Sequence, residues 1–320
     1  MAPDASPADA EALAARMIDA AHGVYGAHAG CRALHAKGTV CAGTFMADPA
    51  AARLTRAVPF QGAPVEVRVR FSNGSGDPGA RDGARDGRGM ATKFLLPDGG
   101  TADLVAISRE TFFVRTPEDF LELMAARRPD PQTGQPDFAR IGAFLEAHPE
   151  SVGPIQTQLA AEPAASYLQT AFHAVHAFGL ESPDGETAWV KFHWVPEAGV
   201  ATLSDDEAAG RAADFLQADL AERLGAGPAA FRLEAELARD GDPLTDPTAL
   251  WGDRDRVTLG RLELTGIATD RERDGDVLVF DPTRVPDGIR CPDDPILHAR
   301  THAYSESVRR RTGVGRDAMP

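Results

Sequence analysis

The chain has 320 residues, of which 43% are hydrophobic, enough for the core of one large domain or two ordinary ones. Its 48 acidic residues outnumber its 33 lysines and arginines, which gives a formal net charge of −15 at pH 7. A surface with this excess of negative charge repels nucleic acids and anionic lipids, so we expect neither as a partner.

The cysteines and the N-terminus bear on the cellular compartment. Cys31, Cys41 and Cys291 cannot all pair within one chain, and their spacing fits no zinc motif, so reduced thiols are expected. The N-terminus is acidic and has no apolar run long enough for a signal peptide or a membrane span. We therefore predict a cytoplasmic protein, with the periplasm as the alternative if an export signal has been removed.

The first predicted element is an Ala-rich helix that follows the capping sequence Ser-Pro-Ala-Asp at residues 6–9 and ends near residue 23. Residues 1–24 are predicted as this N-terminal helix. No internal repeat or Pro/Gly/Ser linker divides the remainder, so residues 25–320 are predicted as one domain.

Short segments with alternating apolar and charged residues dominate the chain after this helix. Residues 65–71 and 188–194 have the period of two expected for half-buried strands, and the Gly-, Asp- and Arg-rich stretch 75–89 between them is predicted as a solvated loop. Further strands are predicted at 257–264 and 276–280, and helices at 117–126, 137–147, 205–224 and 295–311. Many antiparallel strands with helices inserted late favour an α+β fold built on a barrel.

Arg300 and Tyr304 lie four residues apart in the last predicted helix, and side chains at this spacing share one helix face. A phenol ionises near pH ~10 in water, so a phenolate at neutral pH requires a neighbouring positive charge or a metal. Arginine supplies that charge without giving up its own proton. Tyrosinate is a known axial ligand of haem iron, although the pair alone is better explained as a stacked surface pair.

Four further blocks stand in the order found in one known family: Arg-Ala-Leu-His-Ala-Lys-Gly at 32–38, Arg-Phe-Ser at 70–72, Asp-Gly-Arg-Gly-Met-Ala-Thr-Lys-Phe at 86–94, and Lys-Phe-His-Trp at 191–194. Together with Arg300 and Tyr304 they resemble the haem catalases over residues 25–311. Because the chain ends soon after the last helix, it is most similar to the small catalase-related peroxidases. The resemblance implies an antiparallel β-barrel with surrounding helices and a haem b buried between the barrel and the C-terminal helix. It also implies that Tyr304 is the iron ligand, supported by Arg300.

The resemblance implies that His35 is the distal acid-base residue and that Ser72 accepts a hydrogen bond from its imidazole. A peroxide must lose a proton from one oxygen and regain it on the other for the O–O bond to break heterolytically. An imidazole near its ordinary pKa of ~6.5 serves both steps. We expect His35 in a strand-like run after Leu34.

The two haem propionates require cations with bidentate geometry. The resemblance implies these cations at Arg32, Arg70 and Arg311, apolar contacts to the haem from Leu34 and Phe120, and a buried proximal-side histidine, not a ligand, at His193. Residues 309–311 are also explained as the solvated basic end of a helix. Leu34 and Phe120 are nearly as well explained as ordinary core residues.

One position departs from the family. Catalases have an asparagine that completes the distal site where this chain has Ile107, with Ser108 next. An amide that donates to peroxide is thus absent, so the resemblance implies haem binding and peroxide cleavage but not fast dismutation.

The leading expectation is a haem peroxidase that acts on hydrogen peroxide and small organic reductants. The alternatives are a true catalase, a fatty-hydroperoxide isomerase, and a haem-binding protein without turnover. The last is disfavoured because a carrier has no use for a distal histidine. The electron donor and the oligomeric state, including a homo-oligomer, stay open.

Overall fold

The computed structural model describes residues 6–269 and 277–312. Helix α1 (Pro7–Tyr25) begins where its capping sequence predicts. Ser6 Oγ accepts a hydrogen bond from the Asp9 backbone N–H, and the Asp9 carboxylate accepts one from the Ser6 backbone N–H. This reciprocal pair satisfies N–H groups that the first helical turn leaves unpaired. The predicted helix is confirmed, whereas the division into residues 1–24 and 25–320 stays a prediction.

A closed antiparallel β-barrel forms the centre of the fold. Within the described ranges the strands are β1 (Gly38–Ala47), β2 (Val65–Asn73), β3 (Arg88–Leu95), β4 (Thr101–Ile107), β5 (Phe172–His173), β6 (Phe178–Glu181), β7 (Thr187–Pro196), β8 (Ala229–Leu237), β9 (Arg256–Ile267) and β10 (Ile289–Arg290). Eight of them follow the order β7-β5-β4-β3-β2-β1-β9-β8, and β8 pairs with β7 to close the barrel. Closure leaves these strands without a free sheet edge. The predicted α+β barrel is confirmed.

Strand alternation separates the barrel core from a second, outer face. In β2, Val69 and Phe71 are fully buried in the barrel core, where the Phe71 ring stacks on Tyr167 with 5.5 Å between centroids. Successive side chains of a strand point to opposite faces, so Arg70 and Ser72 point away from that core. The interior is filled by aromatic side chains, and polar chemistry is therefore confined to the outside of the barrel wall.

Helices surround the barrel. They are α2 (Ala51–Leu54), α3 (Pro117–Arg127), α4 (Phe138–Ala147), α5 (Val152–Ala160), α6 (Asp205–Gly210), α7 (Phe215–Ala226) and α8 (Pro295–Thr312). Helices α1, α3 and α8 pack against one another and form a second hydrophobic cluster that includes Met17, Phe120, Met124 and Ala303. In the part of the chain that the structure describes, no helix combines the length and the apolar character that crossing a membrane requires.

Several predicted elements differ from the structure. The helix predicted at 205–224 is two helices, α6 and α7, because α6 ends at Gly210 and the backbone of Arg211 is extended; glycine is a poor helix former. The strand predicted at 276–280 is wrong for residues 277–280, which pair with no strand, while Asp276 lies outside the described residues. The stretch 75–89, predicted as a solvated loop, contains Asp82, which is fully buried. Its carboxylate forms a 2.8 Å ion pair with Lys37 and accepts a hydrogen bond from Asn73.

Candidate active site

A cavity of about 490 Å³ lies between the outer barrel wall and helices α1, α3 and α8. All nine side chains that the sequence singles out for catalysis and haem binding line this cavity: Arg32, Leu34, His35, Arg70, Ser72, Phe120, Arg300, Tyr304 and Arg311. They come from segments separated by almost the whole chain. The fold therefore brings the candidate residues together, and the roles assigned to them stay predictions.

The phenolic oxygen of Tyr304 is held by Arg300, one helical turn earlier on α8. Arg300 donates to this oxygen from Nε at 3.2 Å and from Nη2 at 2.6 Å. The guanidinium also lies 6.0 Å from the centroid of the Phe112 ring, over its face. The predicted pairing on one helix face is confirmed. It places the permanent positive charge of the guanidinium next to the tyrosine oxygen.

Arg300 is itself held by two residues that the sequence did not point out. Its Nη1 donates to His176 Nε2 at 2.9 Å, and His176 Nδ1 lies 2.6 Å from Asp294 Oδ2. Because arginine only donates, Nε2 must carry the lone pair, so the proton resides on Nδ1 and is donated to Asp294. Burial lowers the pKa of His176, opposed by Asp294 and reinforced by Arg300, which is consistent with a neutral ring.

Asp294 also starts helix α8. Its Oδ1 accepts hydrogen bonds from the backbone N–H groups of Ile296 and Leu297 at 2.9 and 3.1 Å, as an N-cap residue does. The Asp294 carboxylate therefore has two roles. It caps the start of α8, and it holds His176, which in turn contacts Arg300 beside Tyr304. The Asp-Pro sequence at 294–295 is a helix-start signal that could have drawn attention to this residue.

His35 lies in a tight bend before β1, not in the strand-like run that the sequence predicts. Its φ of 56° is the one positive value among the described non-glycine residues, a conformation that costs free energy and is concentrated at functional sites. The bend is held by Arg70, whose Nη1 donates to the His35 carbonyl at 3.0 Å. The imidazole Nδ1 lies 3.0 Å from Ser72 Oγ on the outer face of β2.

The imidazole of His35 is more strongly perturbed than expected from an ordinary histidine. Burial, together with the positive charges of Arg70, Arg300, Arg32 and Arg88, lowers its pKa to about 3. The expectation of a pKa near the ordinary value is therefore wrong. His35 is neutral at neutral pH, and with Nδ1 engaged by Ser72, Nε2 is the nitrogen that remains for a ligand in the cavity.

Arginines from both ends of the chain line the cavity, as predicted for binding the two propionate carboxylates of a haem. Arg32 Nη2 donates to the Leu278 carbonyl at 2.9 Å, and its guanidinium lies 5.8 Å from the centroid of the Phe280 ring. Arg70 is 4% exposed and Arg311 lies in the last turn of α8. The apolar wall beside them includes Phe120, whose ring is 6.2 Å from that of Phe113.

Ile107 and Ser108 differ in how they face the cavity. Ile107, the last residue of β4, is part of the lining. Ser108 is not among the described lining residues, and its Oγ accepts a hydrogen bond from the Arg88 backbone N–H at 2.9 Å. Because it lies outside the described lining, the serine hydroxyl does not replace the amide that Ile107 lacks.

His193 belongs to a separate buried network in β7. Its Nδ1 lies 2.6 Å from His173 Nδ1, and its Nε2 lies 3.0 Å from Glu236 Oε2. His193 is not among the described residues that line the cavity. This placement agrees with the expectation that it is not a ligand.

In this class of protein, a histidine held against a β-barrel and a tyrosine on a helix line one cavity. Comparison with known proteins identifies the family. The catalase family model matches residues 27–320, so the chain belongs to the catalase family. It is 45% identical over 304 residues to a catalase-related peroxidase of Mycolicibacterium paratuberculosis, covering 94% of this chain and 96% of that protein. It is 33% identical over 298 residues to a catalase-related peroxidase of Synechococcus elongatus, covering 93% and 88%.

A solved fungal catalase has the same fold, with a TM-score of 0.82 and 24% identity over 91% of this chain and 61% of that one. The protein thus lies in the catalase-related peroxidase branch, and it is an oxidoreductase that acts on peroxide.

The residues around the cavity fit the haem that this family implies. A phenolic oxygen with a guanidinium on it suits ferric iron, and arginines suit propionates. The walls between them are apolar and aromatic, as a porphyrin face requires. The half-buried, neutral imidazole of His35 faces the same cavity.

Proposed function

We propose that this protein is a haem b-dependent peroxidase that cleaves hydrogen peroxide heterolytically and oxidises small organic donors, with weaker catalase activity. The observation that carries the proposal is the neutral His35, held by Ser72, in one cavity with Tyr304 and beside an apolar Ile107. A histidine of this kind serves proton transfer in peroxide cleavage. An isoleucine offers the second peroxide no hydrogen bond.

Haem b, when bound, supplies an iron centre that takes oxidising equivalents from peroxide and passes them to a donor. Tyr304 would hold the iron, and Arg32, Arg70 and Arg311 would hold the propionates. Arg300 donates two hydrogen bonds to the Tyr304 oxygen and so stabilises negative charge on it. The contact from Asp294 through His176 keeps the guanidinium of Arg300 in this orientation.

His35 moves the proton. With its Nδ1–H donated to Ser72, the lone pair on Nε2 takes a proton from one peroxide oxygen and returns it to the other, which departs as water. The low pKa of His35 keeps the imidazolium short-lived, which favours the second transfer. In the complete reaction, one peroxide and two donor molecules give two waters, and each donor loses one electron and one proton.

Dismutation differs because a second hydrogen peroxide replaces the donor. This small, strongly hydrated molecule must be held and aligned, and a preorganised hydrogen-bond donor contributes to that alignment. The lining offers Ile107 at the relevant position, and Ser108 is not among the described lining residues. An organic donor gains from apolar contact instead, so the peroxidase reaction is favoured.

The test is to measure oxygen release and oxidation of a phenolic donor on one preparation of the haem-loaded enzyme. We expect donor oxidation to dominate when the donor is present. Oxygen release at full catalase rates with negligible donor oxidation would contradict the proposal in favour of a compact true catalase. A catalase of Aliivibrio fischeri is 30% identical over 304 residues, which cover 90% of this chain and 63% of that protein, and this similarity supports the second candidate.

A further inference from the structure

A cluster of metal-ligating side chains lies where helix α3 begins, beside the connection between α4 and α5. Asp119 is in the first turn of α3, and His148 and Glu150 follow the last residue of α4. One ligand atom from each residue lies within 4.8 Å of those of the other two. The three side chains are 14%, 15% and 16% exposed, and none is among the described residues that line the cavity. The cluster is therefore separate from the candidate haem site.

The Nδ1 atom of His148 faces two carboxylate oxygens at distances that suit a shared cation. It lies 3.7 Å from Asp119 Oδ1 and 3.6 Å from Glu150 Oε1, beyond hydrogen-bond distance in both cases. Zn²⁺ binds nitrogen and oxygen ligands at about 2.1 Å, so two ligand atoms of a tetrahedral site lie about 3.4 Å apart. The two spacings at His148 are close to this value.

The remaining contacts hold the ligand atoms in this arrangement. His148 Nε2 lies 2.9 Å from Glu122 Oε2, and the imidazole stacks on the Phe144 ring with 4.3 Å between centroids. Asp119 Oδ2 accepts a hydrogen bond from the Thr116 backbone N–H at 3.0 Å, whereas Oδ1 is the oxygen that faces His148. A histidine that ligates a metal through one nitrogen commonly donates from the other to a carboxylate. Glu122 is placed for this supporting contact.

The charges of the cluster favour a bound cation. Three carboxylates, those of Asp119, Glu122 and Glu150, surround one imidazole, and carboxylates that share a site repel one another. Arg115 is 51% exposed and is shared, because Nη2 lies 3.5 Å from Glu150 Oε1 and Nη1 lies 3.9 Å from Asp246 Oδ2. Burial lowers the pKa of the imidazole, but the three carboxylates raise it by more, so positive charge is favoured at this point.

We propose that His148 Nδ1, Asp119 Oδ1 and Glu150 Oε1 form a Zn²⁺ site. Three protein ligands leave one tetrahedral position for a water molecule. Glu122 accepts a hydrogen bond from Nε2 and so presents Nδ1 to the ion. A mixture of imidazole and carboxylate ligands suits Zn²⁺ better than Ca²⁺ or Mg²⁺, which prefer oxygen ligands alone.

A zinc ion at this cluster would tie together two parts of the cavity wall. Asp119 precedes Phe120, which lines the cavity. Glu150 lies two residues before α5, whose first turn contributes Pro154 to the same lining. An ion that binds only the folded chain stabilises it by mass action, so its role is structural support of this wall. The site uses neither peroxide nor the haem, and the inference does not rest on the proposed function.

The experiment is calorimetric titration of the haem-loaded protein after removal of free metal with EDTA and dialysis. ZnCl₂, CaCl₂ and MgCl₂ are the probes, at pH 8, where protons compete less for the imidazole. We expect one equivalent of Zn²⁺ to bind, roughly tenfold or more tighter than Ca²⁺ or Mg²⁺. Glu122→Gln should weaken zinc binding by roughly ten- to a hundredfold, the range for a supporting partner, and His148→Gln or Glu150→Gln should weaken it further.

Zinc should also raise the Tm of the wild type and leave that of His148→Gln unchanged. Glu118→Gln is the matched control, because this exposed residue in the first turn of α3 carries the same charge outside the cluster. The haem spectrum of each variant checks its fold, and Glu150→Gln gives the same test if His148→Gln does not fold.

A wild-type protein that binds no zinc would overturn the inference. So would a His148→Gln or Glu150→Gln protein that folds and binds zinc like the wild type, because the ion would then lie elsewhere. Equal affinities for Zn²⁺ and Ca²⁺ would exclude a site centred on the imidazole. None of these measurements uses peroxide, so a failed binding test and a failed peroxidase assay are distinguishable.

Discussion

Gly89 and His35 are packed so closely that a Cβ on Gly89 would lie 2.8 Å from the imidazole Nδ1 and 2.7 Å from Ser72 Oγ. A contact under 3.0 Å forces one of the groups to move. The absence of a side chain at Gly89, in β3, is therefore what leaves room for the His35–Ser72 hydrogen bond. This glycine lies within the block 86–94 that resembles the catalases, but only the fold shows that it makes room for the imidazole of His35.

We expect Gly89→Ala to displace the imidazole and to slow peroxide cleavage by about one to two orders of magnitude, because a small misplacement of a reacting group is costly. Stopped-flow measurement of the reaction with hydrogen peroxide tests this, with haem content measured in parallel. Gly87→Ala is the control, since its added Cβ would come no closer than 3.8 Å to Gln158. Equal rates for the two variants would show that Gly89 does not position His35.

Replacement of His35 itself should have a larger effect. His35→Ala should bind haem but react with hydrogen peroxide more slowly by roughly two to four orders of magnitude, the usual range for a positioned acid-base residue. Ser72→Ala should be milder, because the bend around residue 35 is also held by Arg70. A His35→Ala protein that reacts at the wild-type rate would remove this residue from the mechanism.

Tyr304 is predicted to ligate the haem iron, and Tyr304→Phe tests this directly. The variant lacks the oxygen that receives both hydrogen bonds from Arg300, so it should lose haem or show altered coordination in its visible spectrum. Tyr25→Phe is a suitable control because Tyr25 lines the same cavity while its hydroxyl accepts from Arg127. An unchanged haem spectrum in Tyr304→Phe would exclude tyrosinate ligation.

Two half-buried histidines with lowered pKa values, His35 and His173, should make the fold sensitive to acid. Burial, followed by nearby positive charge, lowers the pKa of His35 and of His173 from 6.5 to about 3. Between these values the unfolded chain binds protons that the folded chain does not. The contribution of these two histidines to the free energy of unfolding should therefore fall as pH drops from about 6.5 towards 3, by about 1 kcal/mol per pH unit for each histidine, and be constant above that window.

Urea unfolding at pH 7.5 and pH 5 measures this dependence on the haem-loaded protein. His173→Gln should lower the difference between the two values, since glutamine does not titrate; His173 is not among the described residues that line the cavity, although it pairs with Ile107 between β4 and β5. His28→Gln, at an exposed imidazole, should leave the difference unchanged. Identical pH dependence in the wild type and His173→Gln would contradict a buried, neutral His173.

Local sequence patterns predicted much of this structure, and long-range contacts account for most of what they missed. Capping at Ser6 and alternation in β2 depend on neighbouring residues, so both are readable from the chain. The contact of His176 with Asp294 joins residues 118 apart, and nothing near either residue signals it. The low pKa of His35 arises from burial and from arginines on other elements, which only the fold assembles.

Charge-rich composition also misled the prediction of the loop before β3. Asp82 in this loop and Arg88 at the start of β3 are buried because each has several hydrogen-bond partners, including the Leu216 N–H, which donates to Asp82, and the Asp82 carbonyl, which accepts from Arg88. Charged residues are usually exposed unless paired, and the pairing is not visible in the sequence.

The balance between peroxidase and catalase activity should depend on Ile107. In Ile107→Asn the new amide would offer hydrogen peroxide a donor from the last residue of β4, a position that already lines the cavity. Loss of one preorganised hydrogen-bond donor from the oxyanion hole of an enzyme typically costs ~3 kcal/mol, or about two orders of magnitude in rate. Gaining such a donor should therefore raise oxygen release by up to that factor. Oxidation of a phenolic donor should change far less, because the proton transfer by His35 is not altered.

Ile107→Leu is the control: it keeps the position apolar and should leave the ratio of oxygen release to donor oxidation as in the wild type. If Ile107→Asn and Ile107→Leu give the same ratio while both retain haem, the isoleucine does not limit dismutation, and the cause must lie in how a second peroxide reaches the cavity.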